Sequence, residues 1–301
     1  MRRFTTLAMS SLLVLTACSN GGSNPLDVLT GRGNVAAEAL GAVGGVDPDT
    51  PLAVFIFDAA GAAKAWGASP TEPPRPDSQA GAWLRYAQHL GTTQSPGAWA
   101  GPESLDYAWS LSGTGGGLRQ FAAFGSLGES ARDEAVAALE MAGYTRDGDR
   151  FEPAPGADGP FAPPEVAVRD DTLVSFSPGM DQILSDASPA SKAPGVTDLL
   201  PCLAGAHVAV VSTFNEDHPT AIAVSVKDGA TSTWACISGR DASEEAARSI
   251  VPVTPGVKVT HVRADDSVMR LTLEVPDAIG GAPAGGLGLI AGFPEQVAPG
   301  F

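Results

Sequence analysis

The residues able to do acid–base or metal chemistry are few and scattered. Four histidines, His89, His207, His218 and His261, lie far apart along the chain. No two stand at the HxH or HExxH spacing that would put both imidazoles on one face of a strand or helix, so no metal site is read from them. Two aspartate pairs, Asp170-Asp171 and Asp265-Asp266, carry enough charge to hold calcium or share a proton. Adjacent strand residues point to opposite faces, however, and aspartate is a common turn former, so both pairs read as turns. Asn215-Glu216-Asp217-His218 reads as a solvated acidic loop. The run Gly113-Thr114-Gly115-Gly116-Gly117 has the composition of a phosphate cradle. It is followed by neither a helix nor a placed lysine, and strand-like segments flank it, so it reads as a hairpin connection. No nucleophile elbow, Walker motif, S-x-x-K or C-x-x-C occurs. The chemistry-bearing residues predict no catalytic residue, no metal and no cofactor.

The N-terminus is more specific. Met1-Arg2-Arg3 is a short positive segment, and residues 5–15 are uncharged and mostly apolar. That run has the length of a signal-peptide core and falls well short of the roughly 20 residues a membrane-spanning helix needs. Polar Thr5 and Thr6 stand where twin-arginine export wants apolar residues, which leaves the general secretory route. The run ends in Leu15-Thr16-Ala17-Cys18, which resembles the lipobox of bacterial lipoproteins. The resemblance implies that a diacylglycerol is joined to the Cys18 thiol, with cleavage just before it. The lipidated N-terminus then sits on the membrane without crossing it, each buried methylene contributing about 0.8 kcal/mol. This places the mature chain at the cell membrane, on its extracytoplasmic face.

With Cys18 lipidated, Cys202 and Cys236 remain. In an exported chain an even pair reads as one disulfide, and the alternative is two buried thiols. The closed loop would stabilise the fold by roughly 3–4 kcal/mol.

Formal charge is −16 over 301 residues, and loss of Arg2 and Arg3 with the leader makes the mature chain more acidic still. Such a balance argues against nucleic acid and against electrostatic docking on anionic lipid, so the acyl chains must supply the membrane attachment. Lysine is scarce, 4 residues against 14 arginines, while alanine and glycine abound. The bias is that of a high-GC genome, and the whole resembles lipoproteins of actinobacteria.

The hydrophobic pattern divides the chain as 1–17 signal peptide, 18–50 lipidated cysteine and flexible tether, 51–190 a first unit, 191–278 a second and 279–301 a Gly/Pro-rich, loose tail. In the first unit, 52–57 is a continuous apolar run and reads as a buried strand. Asp58 caps a helix through Trp66, 83–90 is helical, and 105–112 alternates with Leu105, Tyr107, Trp109 and Leu111 on one side. A strand at 118–126 follows, then a helix capped by Ser130 and stopped by Gly143. Hairpins turn at Asp147-Gly148 and Asp170-Asp171. The second unit has a short helix at 197–203, a strand at 208–214, a hairpin through Asp228-Gly229, a helix from Asp241 or Ser243 to Ile250, and a hairpin around Asp265-Asp266. Each unit thus runs strand pair, helix, strand pair. Val168-Arg169-Asp170-Asp171-Thr172-Leu173 also resembles Val262-Arg263-Ala264-Asp265-Asp266-Ser267-Val268. The expected fold is α+β, mainly antiparallel sheet with a few packed helices, in two related sub-units in tandem.

The expected function is that of an anchored, non-enzymatic protein binding a small ligand or an envelope protein, its identity not legible. Trp66, Trp83, Trp99 and Trp109 in the first unit, with Trp234 in the second, offer an alternative, a carrier of an apolar ligand. A third reading is a hydrolase assembled from scattered residues.

Overall fold

The computed structural model describes residues 34–44, 52–68, 74–92, 107–115, 119–154, 163–186, 188–214, 217–239, 256–265, 267–276, 286–287 and 290. Cys18, Trp99, the expected helix at 241–250, and Asn215, Glu216 and Asp266 lie outside them.

The described strands form a twelve-stranded sheet in which every neighbouring pair is antiparallel. In chain order they are β1 (Ala53–Asp58), β2 (Trp109–Gly115), β3 (Arg119–Gly125), β4 (Thr145–Asp147), β5 (Arg150–Glu152), β6 (Glu165–Arg169) and β7 (Thr172–Phe176), then β8 (Val208–Ser212), β9 (Thr220–Lys227), β10 (Ala230–Ser238), β11 (Lys258–Asp265) and β12 (Val268–Glu274). Their spatial order is β11-β12-β10-β9-β8-β1-β2-β3-β7-β6-β5-β4. Reading outward from the centre, the first half runs β1-β2-β3-β7-β6 and the second runs β8-β9-β10-β12-β11. The same connectivity is used twice, the small β4–β5 hairpin being added at the first half's outer edge. The α+β, antiparallel, two-part architecture is the expected one. The halves join through a single pair, β1 with β8, so the sheet runs unbroken from one to the other.

Both faces of the centre are covered, which is why 52–57 is apolar throughout rather than alternating. On one face Val54, Ile56, Leu111, Phe121, Phe176, Val211 and Trp234 share a core with α1 (Val35–Gly41), the 3-10 turns Asp181–Leu184 and Ala190–Lys192, α5 (Val196–Leu199) and the turn Leu200–Leu203 that follows it. On the other face, Phe55, Phe57, Val210, Ile222 and Leu271 pack with α2 (Ala59–Ala65) and α3 (Gln79–Thr92). Farther along that face, Phe124, Phe151, Val166 and Leu173 meet Ala131, Ala135 and Leu139 of α4 (Glu129–Met141).

Several expectations need correction. The folded region begins before Pro51: the Asn34 side chain accepts from Ala37 N–H to cap α1, whose Ala36, Ala39 and Leu40 are buried, as is Val43. A weak helix former in isolation is held here by its apolar stripe. The tail is not loose throughout, since Leu287 and Ile290 are fully buried against the second half. Strand β2 starts at Trp109, and Tyr107 packs against Phe124 on the face opposite Trp109. Gly113 and Gly115 belong to β2 rather than to a turn. A Cβ at Gly113 would lie 2.5 Å from Val54 Cγ1 and 2.7 Å from the Ala53 carbonyl oxygen, so the glycine admits its neighbours. Helix α4 has Gly128 at its N-cap with no side-chain cap, and the Ser130 hydroxyl instead donates to Glu134 at 3.2 Å. In the last hairpin Asp265 closes β11 opposite Val268, so the connection falls between them, one residue later than the aspartate pair.

Trp109 lies across its directly opposed partner Gly125 and donates from its indole N–H to the Glu38 carboxylate of α1 at 2.8 Å. A Cβ at Gly125 would clash with the Trp109 indole. We expect Gly125→Ala to destabilise by about 1–3 kcal/mol through overpacking and to loosen α1. Urea denaturation with hydrogen exchange on 35–41 checks this; an unchanged midpoint contradicts it.

Candidate functional site

The β11–β12 hairpin determines what faces the helical layer at the second half's edge. Along β12, Met269, Leu271 and Leu273 enter the core behind the sheet, which leaves Val268 and Arg270 on the opposite face with Trp234 and Cys236. The register of the hairpin places Asp265 opposite Val268, Ala264 opposite Met269 and Arg263 opposite Arg270. Two guanidinium side chains therefore project side by side from the third rung of the hairpin. Like charges directly across a ladder repel.

Helix α5 and the turn after it come over this face from the other side. Together they enclose an open pocket of about 330 Å³ lined by Thr197, Asp198, Pro201, Cys202, Arg263, Ser267, Val268 and Arg270. Three contacts hold the lid to the sheet. Cys202 is joined to Cys236 by a disulfide, with their Cα atoms 6.2 Å apart. The Trp234 indole donates to the Cys202 carbonyl at 2.9 Å. The Ser238 hydroxyl donates to the Asp198 carboxylate at 3.3 Å. The Arg270 guanidinium lies 4.4 Å from the centre of the Trp234 ring, a cation–π contact worth about 0.5–2 kcal/mol.

Burial, and then the charge of Arg263, lower the Arg270 pKa from its ordinary value. Arginine stays protonated nonetheless, so Arg263 and Arg270 line the pocket as cations, with Asp198 also in its wall. Planar guanidinium forks set beside an apolar wall suit an oxyanion carried on a small organic body.

The other residues singled out from the sequence do not converge there. His207 is buried ahead of β8, its Nδ1 accepting from Val226 N–H at 2.9 Å. His89 is on α3, His218 in the bend before β9 and His261 on β11. Among the described residues no group of three His, Cys, Asp or Glu side chains is placed to hold a metal ion. Asp170 turns its hairpin with φ 46°, as the turn reading requires. The described tryptophans divide between the faces: Trp66 and Trp83 meet at 6.0 Å on the α2–α3 side, while Trp109 and Trp234 serve the opposite core.

Arg263, Arg270 and Asp198 were not legible as a site. The signal was the hairpin register: once β11 ends at Asp265 and β12 begins at Val268, the two arginines must be opposed.

No family model matches the chain, and no curated protein matches it. Among solved structures the chain is similar to TP0453 in its crystal form III, at 8% identity and a TM-score of 0.35, over 78% of this chain and 93% of that one.

Proposed function

We propose that this chain is a lipid-anchored protein of the extracytoplasmic face of the cell membrane that binds a small ligand or an envelope partner without transforming it. The observation that carries the binding part is the pocket of Arg263, Arg270 and Asp198 beneath the disulfide-tied lid. The anchoring part rests on Leu15-Thr16-Ala17-Cys18 behind a charged and then apolar leader. The Cys202–Cys236 disulfide is consistent with an oxidising compartment. No helix among the described residues is long and apolar enough to cross a membrane.

The anchor is tested on the full chain expressed with its leader in a bacterium. Peptide mass spectrometry of the membrane fraction is expected to find an N-terminal Cys18 carrying diacylglycerol, and Cys18→Ser to abolish that mass and the partition into detergent. A mature N-terminus elsewhere, or an unmodified Cys18 thiol, would refute the anchor. Native mass spectrometry of the same preparation tests the binding part: a retained small molecule or partner supports it.

A further inference from the structure

Gly286, Leu287 and Ile290 come after the last strand, which ends at Glu274, and they belong to no ladder of the sheet. They nonetheless close the face of β9, β10 and β12 that looks toward α2 and α3. Leu287 and Ile290 are 0% exposed and share a core with Phe55, Phe57, Val224, Leu271 and Leu273. Gly286 lies flat on the rung that pairs Thr233 with Val224, where a Cβ would strike the Thr233 hydroxyl and the Val224 side chain. These residues form a strap, seated by two aliphatic side chains and one close backbone approach.

The same face carries hydrogen-bond donors that nothing receives. Among the described residues the indole N–H groups of Trp66 and Trp83 are buried without an acceptor, and Trp83 is a fully buried member of that core. The Ser110 and Ser112 hydroxyls, on β2 opposite Phe57 and Phe55, are also buried and unpaired. The other face differs, since Trp109 donates to Glu38 and Trp234 to the Cys202 carbonyl. Buried polar groups left unpaired are costly and rare. An indole N–H can only donate, so what Trp66 and Trp83 lack is an acceptor.

A peptide entering in place of the strap would not correct this. Each of its residues brings an N–H along with its C=O, and the strands here already share their backbone groups with one another. A fatty-acyl group does correct it. Its chain replaces the aliphatic side chains of Leu287 and Ile290, and its one polar end carries oxygens that accept. We propose that this face is an acyl-chain site held closed by the strap, in which the acyl group displaces Leu287 and Ile290 and its oxygens accept from Trp66 and Trp83. The site is separate from the pocket lined by Arg263 and Arg270, and neither depends on the other or on the anchor.

The test uses the full lipidated chain in detergent and a long-chain fatty acid carrying a diazirine. After photolysis, peptide mass spectrometry should find the label on α3 and β9 and not on α1 or α5, which cover the opposite core. Leu287→Asp removes the competing strap and should raise labelling roughly ten-fold. In the wild type, which needs no variant to fold, unlabelled oleate should speed amide exchange at 286–287 and leave β9 and β10 unchanged. Label spread evenly over both faces, or exchange at 286–287 that oleate does not alter, overturns the site. Competition separates the sources of the acyl group. Displacement of the label by oleate alone assigns the site to free acids, and displacement by methyl oleate as well extends it to esterified lipids. Hexadecane competing as well as oleate would overturn the acyl class, because a hydrocarbon offers the indoles no acceptor.

Discussion

The double substitution Cys202→Ala/Cys236→Ala is expected to lower the unfolding free energy by roughly 3–4 kcal/mol. The bond spans 34 positions in sequence, and its loss returns that loop's closure entropy to the unfolded chain. It also frees the turn carrying Cys202 from β10, leaving the Trp234–Cys202 and Ser238–Asp198 hydrogen bonds to hold the pocket lid. Urea denaturation of the oxidised wild type and the double variant measures the change; the midpoint should fall, and the slope should rise because the uncrosslinked unfolded chain exposes more surface. A loss below about 1 kcal/mol would mean that the lid is held by packing and those hydrogen bonds alone.

Phe121→Ala should cost about 3–5 kcal/mol, the range for removing a buried aromatic side chain. Phe121 is fully buried on β3 and stands directly opposite Phe176 of β7. Its ring occupies the space left by the absent side chain of Gly113, with Cζ 2.8 Å from where a Cβ would stand. The two sites are therefore coupled. Gly113→Ala alone is destabilising, and Phe121→Ala combined with Gly113→Ala should cost less than the sum of the two. Compensation is partial, because the added methyl still meets the Ala53 carbonyl. A double-mutant cycle by thermal or urea unfolding reads the coupling directly, and simple additivity would argue against this packing.

What could be read in the sequence follows the range of the interactions concerned. The Asp228-Gly229 turn, with φ of 51° and 77°, was legible because residues that accept a positive φ announce themselves. The Asp58 cap was legible for the same local reason, its carboxylate accepting from Gly61 N–H at 2.7 Å. The β1–β8 pairing was not, since strands so distant in sequence leave no local sign of their partnership. Nor was the burial of α1: its apolar stripe looks weak until Leu40 and Val43 meet the sheet. The resemblance between the segments starting at Val168 and Val262 suggested the internal relationship but misaligned it. It equates Arg169 with Arg263, whereas the ladders place Arg169 on the first rung from its turn and Arg263 on the third. That two-residue displacement hid the fact that Arg263 and Arg270 occupy the rung that Ala167 and Val174 fill with core in the first half. Single-residue chemistry in the sequence gave no hint of it, because the site is made by register.

The junction between β1 and β8 has a bearing on how the chain reaches this state. Among the described residues it is the one ladder between the halves, and its partners, from Ala53 with Ser212 to Phe57 with Val208, are the most distant paired strands in the sequence. Hairpins such as β9–β10 close over two residues, so they can assemble while the junction is still open. In that interval each half exposes an apolar strand with unpaired backbone groups, Ala53–Asp58 on one side and Val208–Ser212 on the other. The register that closes them within one molecule serves as well between two molecules, with β1 of each copy finding β8 of the other. On the proposed reading, export in extended form followed by tethering at one end would separate neighbouring copies during that interval. For a chain with this topology, an anchor would then be an aid to folding as well as an address.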